Sequence, residues 1–408
     1  MKKIFKKIVA LLAVFGPGLF IIGYNMGTGS ITTMSKSGAD HGMGLFWVLV
    51  LASVFTYVMM VAYSKITLVT GRTAMYNIKT NFKYGWILAL YIIIALVIGE
   101  LLAVFGLMGI AADMLHEGFL ITVGWEIAPV WIIVVIAISL YILLWFGRYR
   151  TFEMVLLGFV ILLGLSFILV FILVKPDVMA IIKGLVPTIP SHNVGLIAAI
   201  AGTTCSAAIF VMRSTIVAEK GWGVNDLKKE KRDSFFSATA MLILSGIMMA
   251  VSAGTLHVMG LSVVETKDMI HLFEPLGGKA AAIILILGVS GAAISTIFPI
   301  ALIAPWLYYD FTGKPRNTQS TFSRVMIFVA LLFGFGSVIL EQRPPALMIF
   351  SQAFQACILP AVAIPIYLLL KRKKLMGEHV SSTKDNIWIM AVIVFSLFTT
   401  YYAIAELF

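Results

Sequence analysis

The sequence predicts an all-α protein that crosses a membrane many times. Hydrophobic residues make up 61% of its 408 residues and charged residues only 12%, and the mean hydropathy is +1.02. A soluble domain carries about a quarter charged residues. One soluble core cannot absorb this excess of apolar side chains, so we expect much of the apolar surface to face lipid.

Eleven apolar segments are long enough to cross a bilayer, since a spanning helix needs about 20 mostly apolar residues. We number them spans 1 to 11 in chain order and expect one transmembrane domain over residues 1–408. The segments cover about residues 8–35, 44–69, 85–112, 127–146, 152–174, 194–218, 234–259, 279–309, 320–340, 345–370 and 386–406. The N-terminal segment lacks a small-residue cleavage site, so we interpret it as a retained first span and not as a signal peptide.

Basic residues occur mainly in alternate loops, and this asymmetry predicts the orientation in the membrane. The N-terminal lysines and the loops containing 228–232 and 371–374 fall on one side. The positive-inside rule assigns that side to the cytoplasm, so the C-terminus would lie outside an inner (plasma) membrane. The same asymmetry accounts for the net charge of +11 without a nucleic-acid partner. The expected partners are the lipid bilayer and a small solute or ion, with no obligatory protein partner.

Two spans contain clusters of glycine and hydroxyl residues where a continuous helix would be unfavourable. Span 1 contains Gly27-Thr28-Gly29-Ser30, and span 6 contains Gly202-Thr203-Thr204 followed by Cys205 and Ser206. Glycine is a poor residue for a helix interior. If spans 1–5 and 6–10 form two repeats, the clusters occupy matching positions. Paired glycine interruptions in two repeats are typical of a transporter's substrate site.

A second interpretation of such glycines is close helix packing, which small residues permit in membranes. We favour packing for Gly106 and Gly291, because such contacts through small residues are common in membrane helices. For the two matched clusters we favour broken helices that line a site.

Several motifs, in order along nearly the whole chain, resemble the Nramp family of divalent-metal transporters. LFWVLVLASVFTYVMMVAYSKITLVTGR resembles the family's second helix, and GRYRTFEMVLLGFVILL with KPDVMAIIKGLVPTIP resembles the fifth helix and the following loop. SQAFQACILPAVAIP resembles the tenth helix. The resemblance implies a LeuT-type fold with two inverted five-helix repeats (about 8–174 and 194–370) and one extra helix (about 386–406).

The chain departs from the family at the positions of the metal ligands. The family's first-helix Asp-Pro-Gly-Asn run falls on Gly27, Thr28, Gly29 and Ser30 when the sequence is counted from Gly16-Pro17-Gly18. A shift by one residue places Met26 at the Asp position. In the sixth helix the family's Met falls on Ser206, and a later family histidine falls on Arg213. Gln352 matches the family's site glutamine.

The predicted site therefore consists of neutral side chains, and two substrate classes remain open. Its substrate-binding residues would be Asn25, Gly27, Thr28, Ser30, Thr203, Thr204, Ser206 and Gln352. The family implies a divalent cation, carried with protons by alternating access, but a cation in low dielectric needs a counter-charge. The N-termini of half-helices instead favour an anionic organic solute. A non-transporting sensor is a third possibility.

Two charged residues within spans are candidates for coupling or gating. Glu100 in span 3 is the one carboxylate expected well inside a span, and an intramembrane acid suggests a proton carrier. A hydrated acid without a coupling role is the alternative. Arg213 in span 6 would contact substrate or gate the inner side, or would snorkel toward the basic loop.

We expect no enzymatic activity. The spans contain no Ser-His-Asp set, no HExxH and no paired carboxylates, which would indicate hydrolytic or metal-dependent catalysis. No catalytic residue, no cofactor and no resident metal site is therefore expected.

Overall fold

The computed structural model describes residues 17–27, 29–146, 149–339 and 343–405, and these residues form helices without any strand. The first half contains α1 Pro17–Gly27, α2 Ser30–His41, α3 Phe46–Thr70, α4 Ala74–Asn81, α5 Gly85–Val123, α6 Pro129–Phe146, α7 Tyr149–Val174 and α8 Val178–Lys183. The second half contains α9 Gly195–Thr204, α10 Ala207–Glu219, α11 Leu227–Gly254, α12 Gly278–Thr312, α13 Thr321–Leu332, α14 Gly336–Ile339, α15 Pro344–Leu370, α16 Lys373–Met376 and α17 Thr383–Ala405.

Nine helical segments within the described residues are long and apolar enough to cross a bilayer. They correspond to spans 2–4 and 6–11 of the sequence prediction. Span 1 is described only from Pro17, as α1 and α2, and span 5 contains the shorter apolar helix Ile161–Val174. The described residues thus contain helix in every predicted span.

Two helices extend beyond the predicted spans. Span 3 was predicted to end near residue 112, but α5 runs to Val123 and ends at Gly124, whose φ of 74° terminates the helix. Span 7 was predicted from residue 234, but α11 begins at Leu227 and includes a charged first turn. Glu230 and Asp310, near the ends of α11 and α12 and outside the predicted spans, are two further buried carboxylates.

The two interrupted spans lie at the centre of the bundle. α1 packs against α11 and α12, and α2 packs against α11. In the second interrupted span, α9 packs along α15, and α15 in turn packs on α5. The most apolar stretch of span 6 is entirely buried, and Gly27, Gly29 and Ser30 of span 1 are buried as well, so these residues are shielded from lipid by protein.

Gly106 is a packing residue, as expected. A Cβ atom at Gly106 would lie 2.9 Å from the Cα atom of Met348, so the absence of a side chain lets α5 approach the backbone of α15. Close approach through small residues is a common way for membrane helices to associate.

Replacing Gly106 with alanine should separate α5 from α15 and destabilise the fold by about 1–3 kcal/mol, the usual cost of overpacking. Thermal unfolding in detergent measures this effect. Gly164→Ala is the matched control, because a Cβ atom there would make only an ordinary 3.8 Å contact with Leu244. Equal melting temperatures for the two variants would contradict the packing role.

Candidate substrate site at the two helix breaks

The first break lies where the sequence predicts it. α1 ends at Gly27 and α2 begins at Ser30, and Gly29 between them has a φ of 108°, a backbone conformation that favours glycine. Thr28, a predicted site residue, lies outside the described residues. Gly27 also lies close to α12, since a Cβ atom there would be 1.6 Å from the Thr296 hydroxyl. The break therefore depends on both glycines, for conformation and for space.

The second break lies at the C-terminal end of the predicted cluster. Gly202, Thr203 and Thr204 form the last turn of α9, and the helical path is interrupted at Cys205 and Ser206. Ser206 is extended, with φ −68° and ψ 133°. Gly202 packs so closely against α15 that a Cβ atom at this position would lie 1.8 Å from the Gln352 carbonyl oxygen. The glycine thus permits helix contact, and the interruption follows it.

Hydrogen bonds connect the two breaks directly. The Asn25 amide Nδ2 donates to the Thr203 carbonyl at 2.6 Å. The Ser30 hydroxyl lies 2.9 Å from the Asn25 carbonyl oxygen and 3.1 Å from the Thr203 hydroxyl. All three residues are buried. Three of the predicted site residues therefore form one cluster that joins the α1–α2 break to the α9–α10 break.

Thr204 faces a different neighbour. Its carbonyl accepts a 2.8 Å hydrogen bond from the hydroxyl of Thr56 in α3. Its own hydroxyl is buried and has no partner among the described residues. A buried hydroxyl without a partner is costly, so this oxygen is available to a bound solute.

A second network connects Ser206 to Glu100. The Ser206 hydroxyl donates to Gln355 Oε1 at 2.5 Å, and Gln355 Nε2 donates to Glu100 Oε1 at 2.9 Å. The hydroxyl of Tyr24, one turn before the first break, donates to the same carboxylate oxygen at 2.6 Å. The network therefore places the Glu100 carboxyl between the two breaks, bonded to α1 on one side and through α15 to the N-terminus of α10 on the other.

The second oxygen of Glu100 has no partner. Glu100 is fully buried, and its Oε2 atom makes no hydrogen bond within the described part of the chain. No basic side chain of the described residues forms a salt bridge with it. An ionised carboxylate without a counter-charge is expensive to bury. This oxygen is suited to bind either a proton or a cation.

Gln352, predicted from its match to the family glutamine, lies beside both breaks. Its backbone carbonyl faces Gly202, and its side-chain amide would be 3.0 Å from a Cβ atom at Gly29. The amide Nε2 donates a long bond of 3.3 Å to Ser351. Gln352 therefore lies between the breaks without being bound tightly to either.

Arg213 belongs to a separate ionic cluster with α11. Its guanidinium is fully buried and donates to both carboxylate oxygens of Glu230, at 2.9 and 2.7 Å, and lies 2.7 Å from Asp233. Ser234 also donates to Glu230. Of the alternatives for Arg213, snorkelling toward the loop is excluded, because paired carboxylates inside the bundle stabilise the buried charge.

Sequence reasoning missed Tyr24, Gln355 and Thr56. Gln355 lies one helical turn after Gln352 and therefore on the same face of α15, which is the signal that could have identified it. Tyr24 and Thr56 gave no such signal, because their partners are 76 and 148 residues away in sequence. The described residues contain no group of three or more His, Cys, Asp or Glu side chains that could hold a metal ion.

Comparison with known proteins agrees with this architecture. A sequence model described as natural resistance-associated macrophage protein-like (Nramp) matches residues 18–406. The chain belongs to the Nramp family. Members of this family are transporters, and the protein is a non-enzymatic membrane carrier.

The relatives are distant but extend over almost the full length. A divalent metal cation transporter MntH from Pectobacterium carotovorum is 24% identical, covering 91% of this chain and 88% of the relative. The MntH of Yersinia pestis is 23% identical, covering 92% and 90%.

Solved structures show the same fold. A mutant of the Eremococcus coleocola manganese transporter superposes with a TM-score of 0.73 at 16% identity, covering 97% of this chain and 86% of that one. A nucleobase-cation-symport-1 family transporter superposes with a TM-score of 0.61, also at 16% identity, covering 95% and 92%. The chain therefore has the predicted LeuT-type fold.

Replacing Gln355 with leucine should destabilise the protein, because the Ser206 hydroxyl and the Glu100 carboxyl would both lose a buried partner. The expected cost is about 1–3 kcal/mol, measured by thermal unfolding in detergent. Gln352→Leu, one turn away, is the control and should cost less, since it removes only the 3.3 Å bond to Ser351. The network would be unimportant if Gln355→Leu were the milder change.

Proposed function

We propose that this protein is a secondary transporter of divalent metal cations that works by alternating access and uses Glu100 as the anionic group of its site. The unpartnered oxygen of the buried Glu100 carboxyl is the observation that carries this proposal. Carboxylate, carbonyl and hydroxyl oxygens are ligands that Mn²⁺ and Mg²⁺ accept. Relatives named as divalent metal cation transporters support the same substrate class.

The neutral side chains at the breaks would complete the site. Ser206 and Thr204 offer hydroxyl oxygens on the α9–α10 side, and Asn25 and Ser30 offer oxygens on the α1–α2 side. Asn25 and Ser30 already bond Thr203 across the breaks, and the Ser206 hydroxyl already bonds Gln355, so a substrate would have to replace some of these bonds. A cation that keeps part of its hydration shell needs fewer protein ligands, which suits a site with one carboxylate.

Polar contacts at both ends of the bundle support alternating access. At the end with the basic loops, Thr215 of α10 donates to Asp310 of α12 at 2.6 Å, and Arg316 pairs with Asp310 at 3.2 Å and with Glu219 at 2.6 Å. These contacts join the second broken span to α12 and its following loop. They would have to separate for substrate to leave on that side.

The opposite end has a corresponding cluster around Asp40. Lys36 lies 3.0 Å from this carboxylate, Ser262 donates to it at 2.5 Å, and Asn193 donates at 3.0 Å. The cluster joins α2 to the segments that precede α9 and follow α11. We propose that the two end clusters open in alternation, while Arg213 keeps α10 and α11 together as one unit.

A small organic anion is the second candidate substrate, favoured by the helix ends. α2 and α10 both begin at the breaks, and neither N-cap residue, Gly29 nor Ser206, caps its helix through a side chain. Free N–H groups at a helix N-terminus attract carboxylates. With such a substrate, Glu100 would carry a proton, because two negative charges would otherwise share one buried site.

Uptake by the purified protein in proteoliposomes should separate these candidates. We expect saturable uptake of Mn²⁺ or Mg²⁺ that falls about tenfold or more in Glu100→Gln, since a charge-assisted contact contributes about 1.5–3 kcal/mol. Glu117→Gln is the control, because Glu117 lies on the same helix but away from the breaks, in a pocket lined by Glu265 and Arg343. It should transport normally.

The other outcomes are equally informative. If no metal ion is taken up and one organic acid shows saturable uptake, the second candidate replaces the metal proposal. If a proton gradient accelerates wild-type uptake and Glu100→Gln responds to it unchanged, Glu100 is not the coupling group. Failure of all substrates in a correctly folded wild-type protein would favour a sensor.

A further inference from the structure

A groove on the lipid-facing side of the bundle has a charge distribution that the transport site does not explain. Its cavity of about 300 Å³ lies between α3, α11 and α17. Most of its lining is apolar, and the charged side chains are Lys65, Lys231 and Asp385.

The charged groups are all at one end of the groove. Lys65 lies near the C-terminal end of α3, whereas Lys231 is the fifth residue of α11 and Asp385 the third residue of α17. All three helix ends belong to the face with the basic loops. Since about 1.5 Å separates successive residues of a helix, Val54 lies about 16 Å deeper than Lys65 along α3. The groove is therefore about as deep as one bilayer leaflet, which is half of a core about 30 Å thick.

The two lysines are not neutralised by their surroundings. Lys65 is mostly buried, with 14% of its side chain exposed, and its partner Asp385 lies 3.8 Å away and is 48% exposed. Such a long, solvated ion pair contributes little. Lys231 has no salt bridge to a described residue. Two ammonium groups and one carboxylate leave a net positive charge, and the two ammonium groups repel each other.

The apolar part of the groove is open to lipid. Val54 and Trp388 are exposed, by 36% and 51%, and exposed apolar side chains in a membrane bundle face acyl chains. Trp388 lies one turn inside the start of α17, at the depth where tryptophan usually meets lipid headgroups. The groove thus has an apolar wall of leaflet depth below a pair of cationic groups.

We propose that this groove binds an anionic phospholipid of the leaflet on the basic side, with its phosphate between Lys65 and Lys231 and one acyl chain along Val54, Val58 and Val61. The phosphate would neutralise the net positive charge and relieve the repulsion between the lysines. Basic pockets between membrane helices on the cytoplasmic side are known to suit anionic headgroups. The lipid would hold α3, α11 and α17 together at their ends on the basic face.

The test compares phosphatidylglycerol with phosphatidylcholine on the full-length protein in detergent, by native mass spectrometry and thermal unfolding. Wild type should retain phosphatidylglycerol preferentially and unfold at a higher temperature with it. Lys65→Gln with Lys231→Gln should weaken binding about 30-fold, because each cation near the membrane surface contributes roughly a factor of five. Lys373→Gln with Lys374→Gln removes two exposed charges of the same face outside the groove and should bind normally.

A second variant keeps the charges and removes the space. Val61→Trp should fill the apolar part of the groove and reduce phosphatidylglycerol binding even though both lysines remain. This variant tests the proposal independently if the double lysine variant does not fold. The proposal would be overturned by equal binding of the two lipids, by equal losses in both double lysine variants, or by unchanged binding in Val61→Trp. Equal stabilisation by soluble glycerol phosphate would assign the site to a free phosphate compound and also overturn it.

Discussion

The backbone groups released by a broken helix inside a bilayer need new partners, and this requirement organises the centre of the molecule. A helix end leaves up to four N–H or four C=O groups without intrahelical bonds, and each unsatisfied group in hydrocarbon costs several kcal/mol. Here side chains from the other break and from intact helices supply many of the bonds. Asn25 bonds the Thr203 carbonyl, Ser30 the Asn25 carbonyl and Thr56 the Thr204 carbonyl. The site residues and the residues that keep the fold intact are therefore largely the same.

This double role explains which residue types occupy the breaks. Small hydroxyl side chains satisfy backbone carbonyls at short range and leave room for neighbouring helices, as Gly202 does for the Gln352 carbonyl. A carboxylate at Gly27 would have no space, because even a Cβ atom would overlap the Thr296 hydroxyl. The family's first-helix acid therefore could not be restored by a single substitution. The carboxyl that hydrogen bonds connect to both breaks is instead Glu100 of α5, through Tyr24 and Gln355.

The sequence was sufficient for the architecture and for the first break, but not for the side-chain network. Hydropathy predicts the spans because a helix that faces lipid must be apolar, and Gly29 needs a backbone conformation that other residues rarely adopt. The second break lies at the end of the predicted Gly202–Ser206 cluster and not at its glycine, since a glycine required for contact with α15 looks the same in sequence as one required for a break. Glu230 was missed as a buried acid because charged residues at the start of α11 resemble a solvated loop until Arg213 is seen to pair with them.

The two buried ionic groups, Arg213 and Glu100, differ in how their surroundings compensate a charge. Arg213 is matched by Glu230 and Asp233, so it contributes no free charge and its removal would expose two carboxylates to a low dielectric. Glu100 has two neutral hydrogen-bond donors and one oxygen with no partner in the described residues. The Arg213 cluster is costly to break and therefore suits a part of the bundle that moves as a rigid unit. The Glu100 carboxylate is instead stabilised when a positive charge binds beside it. A carrier needs both: a bundle that moves as a unit, and a charge whose compensation depends on the substrate or proton bound beside it.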